Sequence, residues 1–178
     1  MEAIAALLLL TMSAPSAAAA PEARPAPPQR PALRLTEADC AIAERRDPVI
    51  ADPDSFIAES ASYGQALNLH SERLMEWRNR QLRATGHWTD EDETRFGLAL
   101  IEDPEFAEQV AISLNLAMDT LTPFTRFGEE GRSAQDKCRD LVEAGQLFDR
   151  ISRSVERQWE LIDEAFAAEA ARLGISLD

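Results

Sequence analysis

Histidine, lysine, glycine and cysteine are all scarce in this chain, and each scarcity removes a class of chemistry. The two histidines are His70 and His87. A metal site in a helical bundle normally shows Glu-x-x-His or His-x-x-x-His, but Leu67 and Leu74 hold the positions around His70 that those motifs need. No C-x-x-C-H is present to attach haem covalently. The seven glycines form no phosphate-cradling loop, and G-x-S-x-G does not occur. The motifs therefore indicate no enzyme class and no cofactor. Lys137 is the one lysine among 18 basic residues, which face 32 acidic ones for a formal charge of −14. That sign repels nucleic-acid phosphates and anionic lipid but permits a basic protein partner. The preference for arginine over lysine favours a GC-rich bacterial source.

The feature that is plainly there lies at the N-terminus. Ala3 to Leu10 is an uninterrupted apolar run, extended by Thr11 and Met12 and followed by the small-residue stretch SAPSAAAA. It is shorter than the about 20 residues of a membrane span, has the length of a signal-peptide core, and leads into several A-x-A sites. One departure is that the n-region carries Glu2 and no Lys or Arg. Cleavage after Ala18 or Ala19 keeps Pro21 out of the first mature position. Loss of Glu2 with residues 1–19 takes the formal charge from −14 to −13. No second apolar run is long enough for a span, so no integral membrane segment is expected after cleavage. Bacterial export leads to the periplasm or beyond, where disulfides persist. The two cysteines, Cys40 and Cys138, suit one bridge. A catalytic thiol is the weaker reading, because neither C-x-x-C nor a nearby Cys/His pair supports it.

Residues 20–34 form a Pro/Ala-rich linker. Five prolines in APEARPAPPQRPA (20–32) remove amide donors and favour extended, disordered chain. Residues 35–178 read as a single helical domain. Thr36 is placed as an N-cap, with Glu37 and Asp39 in the first turn of a helix that carries Cys40 to about Arg46, where Asp47-Pro48 stops it. Asp52-Pro53-Asp54 starts the next helix. There Phe56, Ser60, Tyr63, Leu67, His70, Leu74, Trp77 and Gln81 recur at steps of four and three, widened by Ile57, Met75 and Leu82, and Gly86 closes it. Thr89 with Asp92 opens a helix through Phe96, Leu100 and Ile101. Asp103-Pro104-Glu105 opens another, with Phe106, Val110, Ser113, Ala117, Leu121 and Phe124 on one stripe and Pro123 kinking or ending it near Leu121. Ser133 with Asp136 starts the longest helix. Its seam is Cys138, Leu141, Gly145, Phe148, Ser152, Val155, Trp159, Ile162 and Phe166, and Leu173-Gly174-Ile175 ends it. The fold class is all-α: an elongated bundle of four to five helices with one disulfide and a disordered Pro-rich arm.

Three features compete for a functional role. His70 falls on an apolar seam, where it is a weak ligand candidate; a packed, hydrogen-bonded neutral imidazole explains it better. The run Asp90-Glu91-Asp92-Glu93 resembles a calcium loop but has Arg95 where the glycine belongs and Ile101 where the closing Glu belongs. Acids stabilising a helix start account for it. The segment RLMEWRNRQLR (73–83) is a positive island, and Arg73, Trp77, Arg78, Arg80 and Arg83 form a candidate protein-binding patch. Against that, cations belong at a helix C-terminus and Glu76–Arg80 is an internal pair. Arg150, Arg153 and Arg157 make a second basic stripe, partly paired with its own acids.

The expected function is an exported, non-enzymatic protein-binding module: an adaptor, an assembly factor or an inhibitor of a basic target. The alternative is a small-ligand or cofactor carrier with a site between helices near His70 and Trp77. An undetected hydrolase is the third reading. Export has a direct check. Periplasmic protein from the native host should lack Met1 to about Ala19 by intact mass, and full-length chain soluble in the cytoplasm would refute the localisation.

Overall fold

A computed structural model describes residues 23–30, 35–42 and 53–177. Among these residues there are six helical segments and no strand: α1 (Glu37–Ile42), α2 (Pro53–Ala84), α3 (Asp90–Glu102), α4 (Pro104–Asp119), α5 (Leu121–Phe127) and α6 (Ala134–Arg172). The chain is an all-α bundle. The expected stop at Asp47-Pro48 and the N-cap at Asp52 lie outside the described residues, as does the stretch from 43 to 46.

Local chemistry sets the helix ends. Thr89 and Asp92 form a reciprocal capping box at α3, satisfying two of the amide donors a helix start leaves open. The Asp103 carboxylate accepts from Phe106 N at 2.8 Å, and Pro104 supplies the helical φ of the first position of α4. Asp103 also ends α3, so α3 and α4 are joined by one residue. Ser133 Oγ accepts from Asp136 N at 3.0 Å to start α6. Gly174 takes φ +71° while Ile175 N donates to Ala170 O (2.8 Å) and Gly174 N to Ala171 O (3.0 Å), a Schellman closure at the expected helix end. Pro123 cannot donate to the residue four before it. Accordingly α4 stops at Asp119, and α5 resumes one residue later with Pro123 fully buried.

Three rods result. The 39 residues of α6 span about 58 Å and the 32 of α2 about 48 Å. Phe56 packs on Gly145, Trp159 Nε1 donates to Ser71 Oγ, and Arg78 pairs with Asp163, so α2 runs in the same direction as α6. The third rod is α3, α4 and α5 placed end to end. It runs the opposite way along α6, from Phe96 on Phe166 through Gln109 beside Ser154 to Phe124 beside Phe148. Most of the core lies between the C-terminal part of α2, α3 and the C-terminal half of α6. Leu74, Leu82 and Phe166 have no exposure there. Each such side chain contributes about 1.5–3 kcal/mol by leaving water.

The seams of α2 and α6 hold. Phe56, Ser60, Tyr63, Leu67, His70, Leu74 and Trp77 are all buried, as are Cys138, Leu141, Ser152, Val155, Trp159, Ile162 and Phe166. Gln81 is half-buried and yields the innermost place to Leu82. Four expected core positions are instead exposed: Ile57, Ile101, Ala117 and Leu121. On α4 and α5 the inward stripe steps through Phe106, Gln109, Ser113, Leu116, Thr120 and Pro123. It includes polar residues because their groups are satisfied. Ser154 Oγ and Gln158 Nε2 both donate to Gln109 O, and Thr120 Oγ donates to Ala117 O. A reading that follows apolar side chains alone slips onto Ala117 and Leu121.

Cys40 and Cys138 form the expected disulfide, with Cα atoms 5.3 Å apart and a sequence separation of 98. Both are fully buried with Val142, and the bond ties α1 to the first turns of α6. Closing a loop of that length limits the unfolded chain by about 4.7 kcal/mol in the entropy model, of which real bridges commonly deliver about 2–4. Cys40→Ser with Cys138→Ser should therefore lower the stability measured by denaturant titration by about 2–4 kcal/mol. Far-UV helicity should change little, since α2 to α6 keep their core.

Candidate functional site

The basic segment of α2 is built from arginines that already have partners. The Arg78 guanidinium lies 4.4 Å from the centroid of the Trp77 ring, stacked on it. Its Nε donates to Asp163 Oδ1 at 2.8 Å and its Nη1 to Gln81 Oε1 at 3.0 Å. Arg80 pairs with Glu76 at 2.6 Å, and Arg83 pairs with both Asp90 and Glu93. Arg73 is exposed. Trp77 is buried in the core cluster, so it presents no anchor to a partner. The expected patch is thus a surface of mixed sign, and its acids come from α3 and α6 as well as from α2.

The acidic run at the start of α3 is engaged in the same way. Asp92 caps the helix, and Asp90 and Glu93 receive Arg83. Hydrogen bonds from Thr89, with help from Arg95, hold the Asp92 carboxyl down at about 2. Among the described residues no three His, Cys, Asp or Glu side chains come together so as to hold a metal ion. In the second basic stripe Arg157 is clamped by Glu105, Glu160 and Glu164. A further buried acid, Asp140, receives Arg126 at 3.1 Å and Arg132 at 2.5 Å, which locks the turn between α5 and α6. Nothing in the helical pattern marked it.

His70 is buried and meets the Trp159 ring edge-on, with centroids 4.3 Å apart. Trp159 in turn donates to Ser71 Oγ at 2.6 Å, so the indole is fixed from both sides. Burial depresses the imidazole pKa below its ordinary value. Arg24 and Arg73 push it the same way, opposed by a hydrogen bond with the backbone of Ala26 and by Asp163. Ala26 and Arg24 belong to the Pro-rich arm. Residues 23–30 have neither helix nor strand, as their composition requires, yet they lie against the bundle across His70.

Two further surfaces stand out. A cavity of about 200 Å³ lies between the first half of α2 and α6, lined by Phe56, Ser60, Tyr63, Leu141, Phe148 and Ser152 among others. Neither His70 nor Trp77, near which a carrier site was expected, lines it, and it is smaller than the about 300–1,000 Å³ of usual ligand pockets. The other surface is apolar and exposed. Ala107, Ala111, Leu114, Met118 and Leu121 follow one another at steps of four, three, four and three along the outside of α4 and α5. Leu114 is 61% and Met118 66% exposed. Thr120 keeps helical dihedrals (φ −63°, ψ −21°), so the stripe continues across the break. On α3, Leu98 and Ile101 are also more than half exposed. From Phe96 to Thr125 there is no Lys or Arg, while Glu102, Asp103, Glu105, Glu108 and Asp119 are all acidic. The sequence does carry a signal for this surface: α4 is apolar on two faces, and only one can face α6.

Comparison with family models, with characterised proteins and with solved structures finds no match to this chain.

The environment of His70 sets a pH response. Its folded pKa is lowered, so the folded state binds fewer protons than the unfolded one as pH falls through the ordinary histidine range. The stabilisation is present above about pH 6.5 and is lost as pH drops toward the lowered folded value. The melting temperature should therefore fall between pH 7 and pH 5, and His70→Gln should flatten that segment of the profile. An unchanged slope in the variant would assign the acid sensitivity to carboxylates alone.

Proposed function

We propose that this chain is an exported, non-enzymatic protein-binding module whose docking surface is the apolar stripe of α4 and α5. Its partner is an amphipathic helix with basic flanks. The observation that carries the reading is the exposed run Ala107, Ala111, Leu114, Met118 and Leu121 in a segment that has no Lys or Arg from Phe96 to Thr125. Steps of four and three suit the seam of a second helix, and the alanines at one end allow close approach. The acids beside the stripe select a basic partner and oppose a second copy of the chain, which would set acid against acid. The export reading rests on the N-terminal apolar run with its A-x-A sites, and the Cys40–Cys138 bond is compatible with an oxidising compartment. Adaptor, assembly factor and inhibitor of a basic target all use such a surface.

The test uses a defined probe. A synthetic helical peptide with Leu at heptad core positions and Lys at the flanks should bind the mature, oxidised protein. Its acidic counterpart, with Glu at the flanks, should bind at least tenfold more weakly. Leu114→Lys with Met118→Lys should reduce binding of the basic peptide by about 30-fold, the equivalent of about 2 kcal/mol at a hot spot. Both positions are exposed and lysine is a good helix former, so stability should shift by no more than about 0.5 kcal/mol. Equal binding of the two peptides, or binding unaffected by the substitutions, would overturn the proposal. Sedimentation reads the other occupant: a dimer abolished by the same substitutions would mean a second copy covers the face.

A further inference from the structure

The Pro-rich arm follows the cleft between α2 and α6 at a defined register. Arg24 Nη2 pairs with Asp163 Oδ2 at 2.5 Å, the backbone of Ala26 lies at the His70 ring, and Arg30 pairs with Glu156 at 2.9 Å and Asp149 at 3.7 Å. Tyr63 lies beside Arg30, and both line one cavity between α2 and α6. Rising numbers in the arm meet falling numbers on both helices, so the arm runs antiparallel to α2 and α6. The spacings agree with polyproline II. Ala26 to Arg30 spans about 12 Å at 3.1 Å per residue, and His70 to Tyr63 spans about 10 Å along α2. Arg24 to Arg30 spans about 19 Å, against about 21 Å from Asp163 to Asp149 along α6. Pro25 and Pro28 are half-buried while Ala26, Pro27 and Gln29 are exposed, the period of three that this conformation imposes. Opposite them α6 carries an acid every seventh residue, Asp149, Glu156 and Asp163, and the cleft between holds Tyr63, His70 and Trp159.

We infer that this cleft is a receptor site for an extended proline-rich segment flanked by arginines. Residues 24–30 are its resident occupant, and a partner carrying the same chemistry displaces them. A proline-rich strand loses little freedom on docking, aromatic side chains accept its rings, and an acid at each end reads the flanking cations. The resident holds on through side chains that stay in water: Arg24 is 56% exposed at its ion pair with Asp163. Each such pair is a weak tie by itself, and the arm stays closed because its tether holds both arginines at high local concentration beside their acids. The site uses residues other than those of the α4 stripe, so the two proposals stand or fall separately. Occupancy by the arm lowers the apparent affinity for an outside segment by the fraction of molecules that are open.

The experiment compares the full mature chain with the Arg24→Ala, Arg30→Ala variant, whose arm has lost its anchors. The probe is a capped, labelled peptide with the sequence of residues 23–30, read by fluorescence anisotropy. The anchorless chain should bind at least tenfold more tightly than the native one, with the His70 ring and Trp159 indole resonances shifting on addition. Replacing both arginines of the peptide by alanine should abolish binding, as should Asp163→Asn in the protein. Because Asp163 also holds Arg78, Glu156→Gln serves as a second variant with a more exposed side chain. No binding to the anchorless chain would overturn the inference, and so would equal binding to both chains. A concentration-dependent dimer of the native chain that the arm substitutions dissolve would also overturn it, since a second copy's arm would then be the occupant.

Discussion

Everything in this fold depends on α6 having more apolar surface than one neighbour can cover. Its 39 residues bury one side with Leu141, Ser152, Val155, Trp159, Ile162 and Phe166, and another with Val142, Ser154 and Leu161. α1, α2, α4 and α5 pack on it directly, and α3 reaches it through Phe96 on Phe166. A helix that is apolar over so wide an arc is stable only at the centre of an assembly. The disulfide and the arm both act at this helix. One adds α1 at its first turns, and the other lies along its acidic edge.

The acidic excess is not spread evenly. The arginines are placed where they meet carboxylates from other segments: Arg78 with Asp163, Arg83 with Asp90 and Glu93, Arg126 and Arg132 with Asp140, Arg157 with Glu105. Most of these pairs are partly exposed and individually contribute little to stability. Their combined effect is on the surface that remains. Sign is mixed across α2 and α6, whereas the outside of α4 is left apolar and its own segment, from Phe96 to Thr125, carries acids but no Lys or Arg.

The candidate surfaces were legible to different degrees. Arg73–Arg83 was conspicuous in sequence because a cluster of one charge stands out, but the acids that answer it come from α3 and α6, distant in sequence. His70 was correctly placed on the buried seam, since its neighbours at three and four residues are apolar. Its contact with Ala26 could not be read, because a proline-rich segment has no periodic pattern that names its docking site. The outer stripe of α4 is present in the sequence but overlaps the stripe expected to face inward. Leu121 fits both, and a search for apolar residues alone has no means of preferring Thr120 for the inside.

The sequence by itself determined where helices begin and end and which cysteines pair. Capping by Thr89, Asp103 and Ser133, the stop imposed by Pro123 and the left-handed Gly174 act within a few residues of themselves. Two thiols admit one connectivity. Tertiary structure alone decided which face of α4 turns inward, which acids neutralise the arginines, and where the arm lies. Each of these depends on the register between rods. That register is fixed by contacts such as Trp159 with Ser71 and Ser154 with Gln109, where a buried polar group must find its partner at one height along the neighbouring helix.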